Sequence, residues 1–341
     1  MEQLQCRCKA AVVGCLNDCL SCEDSLHLWI QHFWSKKKCS QLRSISDEKI
    51  ALVHAFADGP YDRSSFHLAG RPHHVATVAT MIAEGAINGL LLLRQDRTVD
   101  EESRHPFVGL VDHIAVMPLV YEVGDCTGTT HHRQGITPNG QAAEYIGKQL
   151  MKTGLQVHFY GNANPDGTPL ADVRRDQTNF FRSGGLESTT EASSGETNPI
   201  GVATIGAPST FVENFNIRLT PNCTRTMARS LTRALRERDG GLVGVEGLTL
   251  PYSNHRYEIA CNMLQPEVGS AEAMMDVVQT WALQQLQSSS CFTSVDELVE
   301  VGYRVGTTAE QCLQVLSLSE EELKVHDSEV CTRLKGFLGL L

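Results

Sequence analysis

The sequence predicts an α+β protein built from mixed sheets with helices on one face. Segments of strand and helix periodicity alternate along the chain. Hairpin-like strand pairs interrupt that alternation, which a doubly wound parallel sheet does not require. The element order after residue 210 repeats, in shortened form, the order before it.

The elements follow in order. Ala10-Ala11-Val12-Val13 reads as a strand, and Cys19 to Trp34 as a helix, with Leu26, Ile30 and Phe33 on one face and Lys36-Lys37-Lys38 at its C-terminal end. Residues 50–57 and 64–69 read as two strands joined by the turn Asp58-Gly59-Pro60. Pro72 opens a helix to about Leu93, with Ala76, Ala79, Ala83, Ala86 and Leu90 along one side. A polar loop, residues 94–104, leads through His105-Pro106 into a strand over residues 108–119. Residues 138–151 form a helix, and the alternation in residues 155–160 marks a half-buried strand ended by Gly161. Residues 183–201, rich in Ser, Gly, Thr and Glu, read as a long loop. In the second half, the expected elements are a strand at 211–219 and a helix begun by Thr220-Pro221 and stopped by Gly240-Gly241. Strands at 243–250 and 258–264 and a helix at 271–286 follow, then amphipathic helices that include Val295–Tyr303 and Ala309–Leu316.

With 341 residues, two domains or two halves of one are expected, since domains run about 100–200 residues. A formal net charge of −11 argues against general nucleic-acid binding, although a local basic pocket for a small anion remains compatible with it. Twelve scattered cysteines, and a polar start (Met1-Glu2-Gln3) unlike a signal peptide, predict free thiols in a reducing, cytoplasmic setting. No apolar run approaches the ~18–20 residues of a membrane span.

His105 is the first candidate for chemistry. Pro106 restricts it to extended backbone, and Asp112 follows on the next strand. An imidazole exchanges a proton near neutral pH. Arg63, after the turn, suits either a two-point carboxylate contact or a solvated pair with Asp62. Arg225, Arg229 and Arg233 share one helix face, opposite a stripe of Met227, Leu231 and Leu235, and read as an anion track or a solvated face. Gly201 and Gly206 bracket Val202-Ala203-Thr204-Ile205, where backbone can approach a ligand closely, but neither a G-x-G-x-x-G nor a P-loop pattern occurs. Cys6, Cys8, Cys15, Cys19 and Cys22 with His27 and His32 lack a second pair at zinc-finger spacing, so no metal is expected and free thiols are favoured. The adjacent pairs His73-His74 and His131-His132 suit a shared metal poorly, because neighbouring side chains diverge.

Several of these segments together resemble the glutamate formiminotransferase family. Arg104-His105-Pro106-Phe107-Val108-Gly109-Leu110-Val111-Asp112 resembles its H-P-R-x-G-x-x-D segment. Tyr61-Asp62-Arg63 resembles its hairpin, Val157 to Gly161 its strand ending in Tyr-Gly, and Ile205-Gly206-Ala207 followed by Phe215-Asn216-Ile217 its linking strand. Arg174-Arg175 and Glu258-Ile259-Ala260-Cys261 are similar to plant relatives. The resemblance spans roughly residues 45–290. It departs at Phe107, where Arg is usual, at Phe56, where the animal enzymes have an acid, and at Pro208, again in place of Arg.

The resemblance implies two ferredoxin-like subdomains, residues 1–210 and a shortened 211–341 with a divergent helical tail, with a folate tunnel between them. It implies a one-carbon transferase of histidine catabolism that moves a formimino group from formiminoglutamate to tetrahydrofolate. His105 would be the catalytic residue, and Arg63, Asp112 and Arg175 would bind substrate. Gly201, Thr204, Gly206, Arg225, Arg229 and Arg233 would contact folate. The expected partners are these small molecules, with room for a homodimer, and neither nucleic acid nor membrane. A non-catalytic folate-binding relative is the alternative.

Overall fold

A computed structural model describes residues 10–17, 50–61, 63–93, 105–119, 137–181, 200–288 and 291–337. The expected helix at 19–34, the cysteine-rich N-terminal cluster apart from the backbone of the first strand, His131-His132 and most of the 183–201 loop lie outside them. The chain divides into two compact units. One takes Met1–Arg97, Pro106–Ser209 and Ala309–Leu341, and the other Thr98–His105 and Thr210–Thr308.

The first unit holds a six-stranded sheet in the order β2-β3-β1-β4-β6-β5. Its strands are β1 (Ala10–Asn17), β2 (Ala51–Asp58), β3 (Arg63–Gly70), β4 (Val111–Pro118), β5 (Gln156–Gly161) and β6 (Val202–Ala207). β1 runs antiparallel to β3 and β4, whereas β6 runs parallel to β4 and β5, so this sheet is mixed. Helices α1 (Pro72–Leu93) and α2 (Pro138–Met151) share a core with Phe66, Leu68, Ile114, Val116, Ala203 and Ile205 of the sheet. Fully buried side chains such as Ile146 and Leu150 each contribute roughly 1.5–3 kcal/mol to this core. Thr137 caps α2, its hydroxyl accepting from the Gly140 amide at 3.0 Å. Helix α3 (Leu170–Gln177) follows β5.

β6 escaped the periodicity reading because all six of its residues are buried. A central strand covered on both faces loses the polar alternation that identifies a half-exposed one.

The second unit holds a four-stranded antiparallel sheet, β10-β7-β9-β8, from β7 (Glu213–Leu219), β8 (Val245–Tyr252), β9 (Arg256–Met263) and β10 (Val299–Val305). Helices α4 (Arg225–Leu235) and α5 (Ala271–Ser288) pack into one core with Ile217, Ile259 and Met263. This β-α-β-β-α-β order, with the first and third strands central, is the ferredoxin-like arrangement. Strands β4-β1-β3-β2 repeat it in the first unit, which adds β6 and β5 beyond β4.

Three local expectations are corrected. Val295–Tyr303 is not a helix: a 3₁₀ turn at Val295–Glu297 precedes strand β10, which pairs with β7. Val299, Val301 and Tyr303 alternate with polar neighbours, and a partner strand decides in favour of that period. Helix α4 begins at Thr224, not at Thr220-Pro221: the Thr224 hydroxyl accepts from the Met227 amide, while Thr220 donates to the Glu297 carbonyl. Residues after 308 are not a tail of the second half: α6 (Ala309–Ser317) and α7 (Glu320–Phe337) belong to the first unit and pack on β2. There His326 Nε2 lies 3.1 Å from the Val53 carbonyl, and α7 covers an edge strand that would otherwise offer unpaired backbone.

Candidate functional site

The site grows from an irregularity in β4. Leu16 pairs with Val111 and Cys15 with His113, so Asp112 is the extra residue of a β-bulge. A bulge breaks the ladder and re-aims the side chain it carries. Here it turns a carboxylate into the protein, where its side chain is 0% exposed. The carbonyl freed by the bulge accepts from the Thr204 hydroxyl of β6 at 3.1 Å.

A buried carboxylate needs partners. Asp112 Oδ2 accepts from Arg63 of β3 and from Arg174 of α3, both at 3.0 Å, and Oδ1 accepts from the Val108 amide at 2.9 Å. Arg63 and Arg174 are themselves nearly buried, with 15% and 11% of their side chains exposed. The Arg174 guanidinium lies 4.0 Å from the centre of the Phe180 ring, a cation–π contact. Its Nε is buried and has no hydrogen-bond partner among the described residues.

The Val108 contact also holds the segment that follows His105. Val202 donates to the Val108 carbonyl and Leu110 to the Ile200 carbonyl, each at 3.0 Å, and Gly109 bridges Gly201. Gly201 has φ +79°, and a side chain at Gly109 would overlap the Val202 backbone, so both positions require glycine. Residues 106–112 are thereby zipped to the start of β6. His105 is half-buried and stands immediately before this anchored segment.

Beside Asp112, His113 is half-buried, and its Nε2 lies 2.8 Å from the Tyr160 hydroxyl of β5. Burial, then the charges of Arg174 and Arg63, hold the His113 pKa well below that of an ordinary histidine. The imidazole is therefore neutral. The Tyr160 ring and carbonyl crowd Gly206, where any side chain would collide with them. His113, Thr204 and His158 are register partners across β4, β6 and β5. Burial also lowers the His158 pKa, opposed by a hydrogen bond that the ring donates to Gln177.

The structure thus brings together Arg63, Asp112 and Thr204 of the sequence candidates. Gly201 and Gly206 stand at the edges of the same region, with packing reasons for being glycine. Arg175 stands apart: half-exposed, it pairs with Asp172 on its own helix, and its neighbour Arg174 makes the contact to Asp112. Arg225, Arg229 and Arg233 lie on the exposed side of α4 in the second unit, opposite Ala228, Leu231, Thr232 and Leu235. Of the expected apolar stripe, Leu231 and Leu235 are buried and Met227 is partly buried against the same core, with Ala228 and Thr232 widening it.

Arg174, His113 and Tyr160 were missed as site residues. The adjacency of Asp112 and His113 carried a signal, but a bulge that places both near the same arginines is invisible in sequence. Among the described residues no group of His, Cys, Asp and Glu could hold a metal ion. No described helix is long and apolar enough to cross a membrane.

Comparison with known proteins adds two findings. Residues 36–208 match the family described as the formiminotransferase domain, N-terminal subdomain. The chain is also 26% identical over 240 residues to the "Formiminotransferase cyclodeaminase-like protein" of Arabidopsis thaliana, covering 65% of this chain and 75% of that one. The matched residues 36–208 include Arg63, Asp112, His113, Tyr160, Arg174 and Thr204.

Proposed function

This chain belongs to the formiminotransferase family, and from that premise we propose that it is a folate-dependent transferase moving a formimino group from formiminoglutamate to tetrahydrofolate. The observation that carries the reading is the anchored segment 106–112, which follows His105 directly and ends in the buried Asp112. In this reaction the folate nitrogen bonds to the amidine carbon, and the bond from that carbon to the glutamate nitrogen breaks. One proton leaves the attacking nitrogen and one must reach the leaving nitrogen. His105 is assigned that role, histidine being the side chain that most often serves as general acid and base. Arg63, paired with the buried Asp112, is assigned to substrate binding through its positive charge. Arg225, Arg229 and Arg233 offer an exposed cationic stripe to an anionic folate tail. A role in histidine catabolism would follow from this donor.

A second reading, folate binding without turnover, is favoured by Phe107 and Phe56, which stand where the family resemblance calls for Arg and an acid. One experiment decides between them. The purified chain, given formiminoglutamate and tetrahydrofolate, should form 5-formiminotetrahydrofolate, and His105→Ala should abolish it. Binding of tetrahydrofolate with no product from any formimino donor would select the second reading.

A further inference from the structure

Helix α7 turns one face to the first unit. Leu323, His326, Asp327, Val330 and Cys331, spaced three and four apart, are buried or half-buried, while Glu322, Lys324 and Glu329 on the other side are exposed. Leu323 and Val330 are the apolar anchors, and the middle of the stripe is polar. Its seat is polar as well. α7 packs on β2, where His54 stands directly opposite His67 of β3, so the two side chains share a face of the sheet. Their rings meet edge to face, with centres 5.5 Å apart. Beside them the register slips: Leu52 pairs with Leu68 and His54 with His67, so Val53 is the extra residue of a bulge. His326 Nε2 lies 3.1 Å from the Val53 carbonyl. An imidazole nitrogen facing a carbonyl must carry its hydrogen, so His326 donates this bond. Histidines from three elements thus gather at the seam between α7 and the sheet.

The charges that act on His54 come from α7, which brings Arg333 and His326. Among the described residues, Asp327 is the one carboxylate on the inner face of that helix. α6, which packs on both strands, buries Cys312 and Leu316 and leaves Glu310 exposed and bonded to Gln314. β1, on the other side of β3, places Val13 opposite His67. The Ser65 hydroxyl lies 3.4 Å from His67 Nε2. Asp58 and Arg63 stand at the far end of the hairpin, where Asp58 accepts from the Tyr61 amide and Arg63 pairs with Asp112. Neutral rings fit this seam. A proton on His54 would set it against Arg333, and a proton on both would set the two rings against each other.

We propose that this cluster is an acid-sensitive latch: with His54 and His67 neutral, α7 is held over edge strand β2, and protonation of the pair releases α7 before the strands part. The direction follows from burial. Burial, then Arg333 and His326, lower the His54 pKa, and burial, then His54, bring that of His67 to about 3. Lifting α7 returns the rings to water, where histidine titrates near 6.5. Protons therefore bind the released form more tightly, and below about pH 6.5 His67 alone shifts the balance toward it about ten-fold per pH unit. α7 yields first because its main anchors are two apolar side chains, whereas β2 and β3 are joined by a continuous ladder apart from the bulge. Release bares the outer backbone edge of β2.

Hydrogen exchange of the full chain, read by mass spectrometry and corrected for the intrinsic effect of pH, tests the latch. Between pH 7 and 5, amides of α7 should lose about ten-fold or more in protection, at pH values where those of β2 and β3 still hold. Loss from α7, β2 and β3 in step would overturn the proposal, and so would α7 protection that ignores pH. His54→Gln, which cannot take the proton, should make the α7 response shallower, and an unchanged slope would count against the latch.

His54→Gln also alters packing, so Arg333→Gln, at an exposed position, provides a second measurement. It removes the charge that a protonated His54 would face. At pH 5, α7 should then be protected about two-fold or more better than in the unmutated chain, and at pH 8 equally well. The same effect at both pH values, or none at either, would overturn the latch.

Discussion

The two ferredoxin-like repeats carry the same ion pair and have put it to different uses. In the second unit, Arg256 and Glu300 close on each other near the surface, with Glu300 37% exposed. In the first, Asp112 is wholly buried and tied to two arginines and a loop amide. The difference comes from elements that the second repeat lacks. Helix α3 brings Arg174, β6 brings Thr204, and the segment after His105 brings Val108. A bulge that merely ends a ladder in one sheet has become the anchor of a site in the other. The second unit has its own buried carboxylate, Glu258, but that one is saturated by Arg218, Asn216 and the Tyr303 hydroxyl. Glu258 also helps to push the Tyr303 pKa up, after burial as the first cause. A network whose members are all satisfied rigidifies a sheet, whereas one with a spare donor can accept a ligand.

The comparison is broken most directly by removing each carboxylate. Asp112→Ala leaves two buried guanidinium groups together and should cost about 3–5 kcal/mol of stability, whereas Glu300→Ala should cost no more than about 1 kcal/mol. Denaturant unfolding of the two variants measures both values, and near-equal losses would show the pairs to be alike.

Acid should act on the first unit before the second. His67 of β3 is buried, and burial, then the neighbouring His54, lower its pKa to about 3. His54 is lowered too, by burial, Arg333 and His326. A base whose folded pKa lies below its unfolded value contributes full stability above the unfolded pKa, near 6.5, and loses it as pH falls below that. Between pH 6.5 and 4.5, His67 alone should remove roughly 2–3 kcal/mol, at about 1.4 kcal/mol per pH unit. Amide exchange followed against pH should show β3 losing protection ahead of β9. His67→Phe should flatten that dependence.

Glycine positions sharpen the contrast further. Gly206→Ala drives a methyl into the Tyr160 ring and should cost about 1–3 kcal/mol while disturbing the His113 contact. Gly247→Ala in β8 meets only side-chain atoms, the nearest at 3.2 Å on flexible Arg236, and should cost less than about 1 kcal/mol. Thermal unfolding of both variants tests the order. The smallest effect should be the same in both units: Thr137→Ala and Thr224→Ala remove equivalent helix caps, and each should cost about 1 kcal/mol in denaturant unfolding.

Periodicity and turn chemistry made most of the fold legible. The hairpin of β2 and β3, the helices α1, α2 and α5, and the strands β4, β5, β8 and β9 all follow from local patterns that tertiary contacts reinforce. The shortened repeat was likewise visible in element order. β6 was hidden by its complete burial, and β10 by a short segment whose period only its partner β7 settles.

Of the candidate site, the sequence by itself determined the residue types and their local order: His105 before Pro106, Asp112 before His113, and two adjacent arginines at 174 and 175. Which arginine meets Asp112 was decided only by tertiary structure, because residues one apart on a helix point in different directions and the helix axis chooses between them. The burial of Asp112 was decided the same way. A bulge is a mismatch between two strands distant in sequence, and it has no signature in either strand alone.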